Sequence, residues 1–175
     1  MKKKYPYVSL DDTIKQMGVQ IEESVDFADT FIPESTDPAY IFHCLKSNVT
    51  YKHDPVGIEL LQSMPSLFND NYWGIPGAGD CDCFTIASVA CAVARDIPVR
   101  LVLVGNSPDA PSHVYCQMKD RGKWVDFDLV APMYGITKPY KYKHFVNVVF
   151  WLSLNYVLTT ARRLDNGQFS RIYYG

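Results

Sequence analysis

The sequence predicts an α+β domain, with helices in its first third, a buried helix in the middle and an antiparallel sheet after it. Three observations lead there. Cap residues punctuate the first third. A run of small apolar residues follows from 82 to 96. Three short β-rich runs come next, two of them separated by a turn sequence.

Taken in order, "SLDDTIKQMG" offers Ser9 or Asp11 as a cap for a first helix that stops at Gly18. "TDPAYIFHCLKSN" opens a second with Asp37 as cap and Pro38 at the first helical position. "DPVGIELLQSMPSLF" supplies another short helix, stopped near Pro65. "NDNYWGIPGAG", residues 69–79, is loop by its Asn, Gly and Pro content. The next run, "DCFTIASVACAVARD", has almost no polar stripe, so as a helix it must be buried on all sides. Pro98 forbids its continuation. Strands are expected at 99–105, 112–118 and 123–130, the last two joined by the turn "KDRG".

Bulk properties narrow the function classes. A chain of 175 residues with nearly half of them apolar suits one domain, 1–175, with a real core. A formal net charge of −2 gives no general attraction to nucleic acid. The basic start "MKKK" lacks the apolar run of a secretory signal, so a cytoplasmic or particle-borne location is expected. Five cysteines are odd in number and too few for a stapled mini-fold, which favours a reducing compartment. One stretch, "FVNVVFWLSLNYVLTTA" at 145–161, carries no charge. Its β-branched and aromatic content suits core structure. Membrane or virion association through 145–161 is the minority reading.

The chemistry centres on Cys81, where the glycine-rich loop turns into helix. A helix N-terminus stabilises a thiolate, the nucleophilic form, and its free N–H groups can receive an oxyanion. A thiolate needs a base, and the base an orienting group. His113 opens a strand, and if "KDRG" pairs Met118 with Lys123 then His113 faces Asp128 across the hairpin. A two-residue shift would instead put Tyr115 opposite Asp128. Asp126 shares the face and would serve if the pairing moved.

Cys81, Phe84, "DIPVR" ending in Arg100, "HVY" and "WVDFD" stand in an order and spacing that resembles the transglutaminase-like segment of the papain-like cysteine fold. "YKHDPVGIELLQSMP" ahead of "GDCD" is most similar to the small phage and prophage branch. The match covers residues 51–130, leaving 1–50 as a helical lead-in and 131–175 as a C-terminal extension of uncertain role. The resemblance implies a Cys81–His113–Asp128 triad in a groove between helix and sheet, with thiol-dependent acyl transfer on a peptide, isopeptide or glutamine side-chain amide, hydrolysis preferred over cross-linking, and no cofactor. It also implies a second oxyanion donor just upstream of the nucleophile: Trp73, or alternatively Tyr72 or Asn71. Two positions depart from the pattern. Asp96 stands where the family has glycine, and Cys83 where the branch commonly has Asp.

Competing readings remain. Cys81, Cys83, Cys116 and His113 form a Cys3His zinc set by residue type, but Cys-x-Cys is not the usual knuckle and Cys116 should face away from His113. No metal is therefore expected. A disulfide from Cys83 to Cys116 or Cys44 is the redox alternative, and inert burial is the default for Cys44 and Cys91. Arg100 is expected to brace the sheet through an ion pair, and His144 to lie at the surface. The functional alternative to an enzyme is a non-catalytic structural or interaction protein of a phage particle or membrane that keeps the same fold.

Overall fold

The computed structural model describes residues 5–6, 9–107 and 109–148. The order is β1 (Tyr5–Pro6), α1 (Leu10–Glu22), α2 (Val25–Phe31), α3 (Pro38–Lys46), β2 (Thr50–Tyr51), β3 (Ile58–Glu59), α4 (Met64–Asn69) and β4 (Ala78–Gly79). Then come α5 (Cys81–Ala94), β5 (Val99–Gly105), β6 (His113–Asp120), β7 (Lys123–Phe127) and β8 (Tyr142–Asn147). Four strands form one antiparallel sheet in the order β7-β6-β5-β8. The expected α+β class holds: helices first, then a central helix packed on an antiparallel sheet.

α5 is the hub. Residues 82–92 are all buried, with α1, α2, α3 and α4 on one side and the sheet on the other. Its alanines let neighbours approach closely, and each fully buried Ile or Leu around it contributes about 1.5–3 kcal/mol. Val99, Leu101, Leu103, Val114, Cys116, Met118 and Phe127 meet the helix from the sheet. The opposite sheet face gathers Val102, Val104 and Tyr115 with Tyr140 and Phe145.

α5 ends on a device that answers the missing glycine. Asp96 adopts φ +53. The Asp96 N–H donates to the Val93 carbonyl at 3.0 Å and the Ile97 N–H to Ala92 at 2.9 Å. This is the Schellman pattern, with the left-handed position held by Asp, one of the residues that tolerates it.

Several expectations need correction. α1 runs through Gly18 to Glu22, because buried Ile14, Met17 and Gln20 continue its inner stripe and outweigh the roughly 1 kcal/mol cost of a helical glycine. α2 had no clear signal. The helix expected over 54–68 begins only at Met64, with Pro65 in its first turn, so the proline opens the helix instead of stopping it. Residues 54–63 are extended or turn, and pair briefly through β3.

The β6–β7 hairpin also differs. Asp120 pairs with Lys123, leaving a two-residue loop of Arg121 (φ 48) and Gly122 (φ 81). Two positive φ values make the mirror-image turn that matches strand twist. Gln117 then faces Asp126 and Cys116 faces Phe127, so Met118 does not pair with Lys123. Among the described residues Arg100 braces the sheet through a hydrogen bond and ring contacts, with no ion pair within 4 Å. Its Nε donates to Gln117 Oε1 at 2.8 Å, and its guanidinium lies 4.4 Å from the Trp124 ring and 4.0 Å from the Phe145 ring. His144 is half-buried in β8.

Of the stretch 145–161, Phe145–Asn147 belong to β8, and 149–161 lie outside the described residues. Among the described residues, no helix is long and apolar enough to cross a membrane.

The turn into β4 is sterically closed. Gly77 has φ +77, and a Cβ there would meet the Asn48 carbonyl oxygen at 1.9 Å. Its own N–H donates to Leu67 and its carbonyl accepts from Thr50. Gly77→Ala should therefore destabilise by about 2–5 kcal/mol, combining a left-handed backbone with a clash against main chain. Chemical denaturation measures this; a midpoint equal to wild type would refute the packing described.

Candidate active site

Cys81 is the first residue of α5, after Asp80 as N-cap. The first turn is tied to the sheet at one point. Thr85 Oγ1 donates to the Val114 carbonyl at 3.1 Å and is also bonded to the Cys81 carbonyl at 2.7 Å. The Val114 N–H acts as a hydrogen-bond donor to the Cys81 sulfur. The partly buried thiol is thus held one residue along β6 from His113.

His113 Nε2 donates to Asp128 Oδ2 at 2.9 Å. Both side chains are nearly enclosed, 10% and 5% exposed. The pair forms although the hairpin register puts the two residues out of alignment. β7 ends at Phe127, and Asp128 turns out of the strand with its Oδ1 accepting the Val130 N–H at 3.0 Å. Thr137 Oγ1 adds a third donor to the carboxylate, at 2.9 Å on Oδ2. Lys46 Nζ, reaching from α3, holds the Leu129 carbonyl at 2.5 Å and fixes the same turn. Burial pushes the Asp128 carboxyl up, but its hydrogen bond and charge pairing with His113, helped by Thr137 and the Val130 N–H, outweigh that and hold it below its ordinary value. With Nε2 committed to Asp128, Nδ1 is the nitrogen left to accept a proton. Asp126 instead accepts from Gln117 Nε2 at 2.6 Å and faces Lys143 at 4.0 Å.

The thiol itself departs from expectation. Burial pushes the Cys81 thiol up, and the neighbouring Asp82 and Asp80 carboxyls push it further. The helix N-terminus does not prevail because acidic side chains flank the sulfur on both sides, and the adjacent Cys83 N–H is taken up by Asp82 Oδ1 at 2.9 Å. Burial and the flanking carboxyls both favour the thiol over the thiolate at Cys81.

Those carboxyls belong to a larger group missed in the sequence. Asp54 accepts the Leu60 N–H at 2.5 Å, Glu59 comes from β3, and Asp80 and Asp82 flank Cys81. Burial raises Asp54 to about 6. A hydrogen bond with Asp82, then burial and the Asp82 charge, raise Glu59 to about 8. Burial is the main cause that raises Asp80 and Asp82; at Asp80 a hydrogen bond with Asp82 opposes it, and nearby carboxylates add to it at both. A raised folded-state pKa contributes stability that is present below the unfolded value and lost as pH rises through the folded one. For Glu59 that window runs from its usual 4.5 to about 8. Thermal midpoints should therefore fall between about pH 5 and about pH 8, and Glu59→Gln should flatten that slope. A wild-type midpoint that rises across the same interval would exclude the shared-proton cluster.

As for metal binding, donor atoms of Asp80, Asp82 and Cys83 lie within 4.8 Å of one another. Cys83 Sγ, however, donates to the Leu60 carbonyl at 2.9 Å and so serves as a buried thiol. The Cys3His set is not brought together. Cys116 faces α5 and bonds toward the Phe127 carbonyl, while His113 stacks with Tyr115 and Tyr140 on the other sheet face. All five cysteines are free thiols.

Upstream, Asn71 is spent on its own loop. Its Oδ1 accepts the Ile75 N–H at 3.1 Å, and its Nδ2 bonds the Leu67 and Ile75 carbonyls. Tyr72 packs edge-on against Trp73, ring centres 5.0 Å apart. The Trp73 indole Nε1 is buried with no hydrogen-bond partner among the described residues, and its ring lines a cavity of about 360 Å³ bounded by residues 69–76. Tyr51, also missed, lies beside Cys81 and Asp80; burial first, and repulsion from these groups when ionised next, raise its phenol to about 12.

No family model and no curated protein matches the chain. Two solved structures are similar to it. A candidate cysteine protease from Cytophaga hutchinsonii shares 16% identity over 82% of this chain and 60% of its own, with a TM-score of 0.41. A TGase shares 12% identity over 77% of this chain and 36% of its own, with a TM-score of 0.35. The chain thus spans less than two thirds of either structure. What the site can do is decided by its own residues.

Proposed function

We propose that the protein is a thiol-dependent acyl-transfer enzyme that opens an amide, with peptide or isopeptide hydrolysis as its reaction. The observation that carries this reading is the His113–Asp128 hydrogen bond, which leaves Nδ1 as the basic nitrogen beside the strand residue that holds the Cys81 sulfur. Burial and the flanking carboxyls push the Cys81 thiol up, which favours His113 as a general base during attack over a preformed ion pair. The Cys81 Sγ–H proton moves to Nδ1 as sulfur adds to the carbonyl carbon. The resulting oxyanion is received by the Cys81 backbone N–H, with the Trp73 indole N–H as the second donor that the family resemblance implies. On collapse the C–N bond breaks, and Nδ1 returns its proton to the departing amine. Water, deprotonated by the same nitrogen, then opens the thioester to a carboxylic acid.

The test is labelling with a peptidyl acyl-type thiol probe followed by mapping of the modified residue. Cys81 should label far faster than partly exposed Cys44, while buried Cys83, Cys91 and Cys116 stay unmodified. A non-catalytic structural role draws on one observation, the upward push on the Cys81 thiol by its flanking carboxyls. It requires Cys81 to label no faster than Cys44.

A further inference from the structure

The segment from Asp128 to Lys141, which links β7 to β8, crosses the end of the sheet as a strap. It is stapled down independently of His113. Tyr134 Oη donates to Asp120 Oδ2 at 3.0 Å, and its ring packs against Phe42 and Phe127 at 5.8 and 6.2 Å. The Gly135 N–H donates to the Asp126 carbonyl at 3.1 Å. Beyond these anchors, two residues of the strap turn back onto the His113–Asp128 pair. Thr137 donates to the same carboxylate oxygen that His113 uses. Tyr140 lies nearly parallel to the imidazole, 20° between planes and 5.8 Å between ring centres. A cavity of about 130 Å³ sits between strap and pair, lined by His113, Asp128, Val130, Ile136, Thr137 and Tyr140 among others.

We propose that Thr137 and Tyr140 are positioning residues that lock the orientation of His113 through Asp128 and by stacking. The inference rests on the Cys81–His113–Asp128 chemistry of the preceding section. An imidazole can swing about its side-chain bonds, and a base displaced by 1 Å loses much of its effect. Asp128 prevents this only if its own carboxylate is fixed. The Val130 N–H holds Oδ1, so Oδ2 depends on Thr137 to keep its direction toward Nε2. Tyr140 closes one face of the ring, which also keeps water from competing for the buried hydrogen bond.

Two readouts test this. In protein carrying ¹⁵N-histidine, the His113 Nε2–H resonance, assigned by its loss in His113→Gln, should exchange with water about tenfold faster or more in Thr137→Val and in Tyr140→Leu. Thr137→Ser and Tyr140→Phe, which keep the hydroxyl donor and the flat ring, should exchange as wild type does. In the acyl-probe reaction the same two disruptive variants should lower the maximal inactivation rate about tenfold with the probe's binding constant unchanged. Wild-type exchange in Thr137→Val and Tyr140→Leu overturns the positioning role, whatever the reactivity of Cys81. A wild-type Cys81 that labels no faster than Cys44 overturns the proposed function by a separate measurement.

Discussion

Cys81→Ala should fold as the wild type does and lose turnover by about 10⁴–10⁶-fold, equivalent to about 5–8 kcal/mol of transition-state stabilisation. The size follows from the absence of any second sulfur in position. Cys83 is two residues along, but its thiol is buried inside the first turn and donates to the Leu60 carbonyl. Cys116 lies on the opposite side of β6 from His113. Neither can take over. The fold should tolerate the change because Cys81 stands at the first helical position, is only partly buried, and contributes one sulfur contact to the Val114 N–H. Alanine is also a good helix former, and removing the thiol relieves nothing that α5 needs for packing. Thermal melting and turnover on the same preparation separate the two effects. Full activity in Cys81→Ala would move the nucleophile elsewhere and end the acyl-transfer reading.

Much of this site could be read from residue types and spacing, and what escaped did so for identifiable reasons. A cysteine after "GAGD" at the mouth of an apolar helix announces its position, because the helix must begin where the glycines end. His113 and Asp128 could be named because both sit at ends of β-rich runs. Their pairing was expected from a direct cross-strand register, yet it forms by another route. The two-residue turn at Arg121–Gly122 shifts the ladder, and Asp128 recovers the contact by leaving the strand. Turn chemistry decided that register, and "KDRG" admits both a two- and a four-residue loop. The upward push on the Cys81 thiol is not legible in local sequence, for a long-range reason. Asp54 and Glu59 reach the α5 N-terminus only through tertiary packing of an extended segment that the sequence predicts as helix. Thr137 and Tyr140 fall beyond the last recognisable strand pattern, and nothing in local sequence says that this stretch folds back over an imidazole.

Asp128→Asn should lower the reaction about 10³–10⁴-fold, about 4–5.5 kcal/mol, with a much smaller change in stability at neutral pH. Asparagine has nearly the shape of aspartate, so the turn at 128–131 can persist with the amide oxygen accepting the Val130 N–H. The amide nitrogen then faces His113 Nε2 and Thr137 Oγ1, both of which donate in the wild type. Two donors cannot share one hydrogen bond. The imidazole must move its proton to Nδ1, the nitrogen that should take the proton from Cys81, or else rotate away. Either outcome removes the base. The same substitution carries a signature at acid pH. Asp128 is held below its ordinary carboxylate range in the folded state, so it contributes stability that is present above the usual 3.8 and lost as pH falls through the folded value. Asp128→Asn should flatten that acid limb while leaving the loss of stability on the alkaline side, which belongs to Glu59 and its neighbours. Melting curves across pH, run beside probe labelling, read both. An Asp128→Asn protein that labels Cys81 at the wild-type rate would mean that His113 holds its tautomer without the carboxylate, and the hydrogen bond at 2.9 Å would then be structural alone.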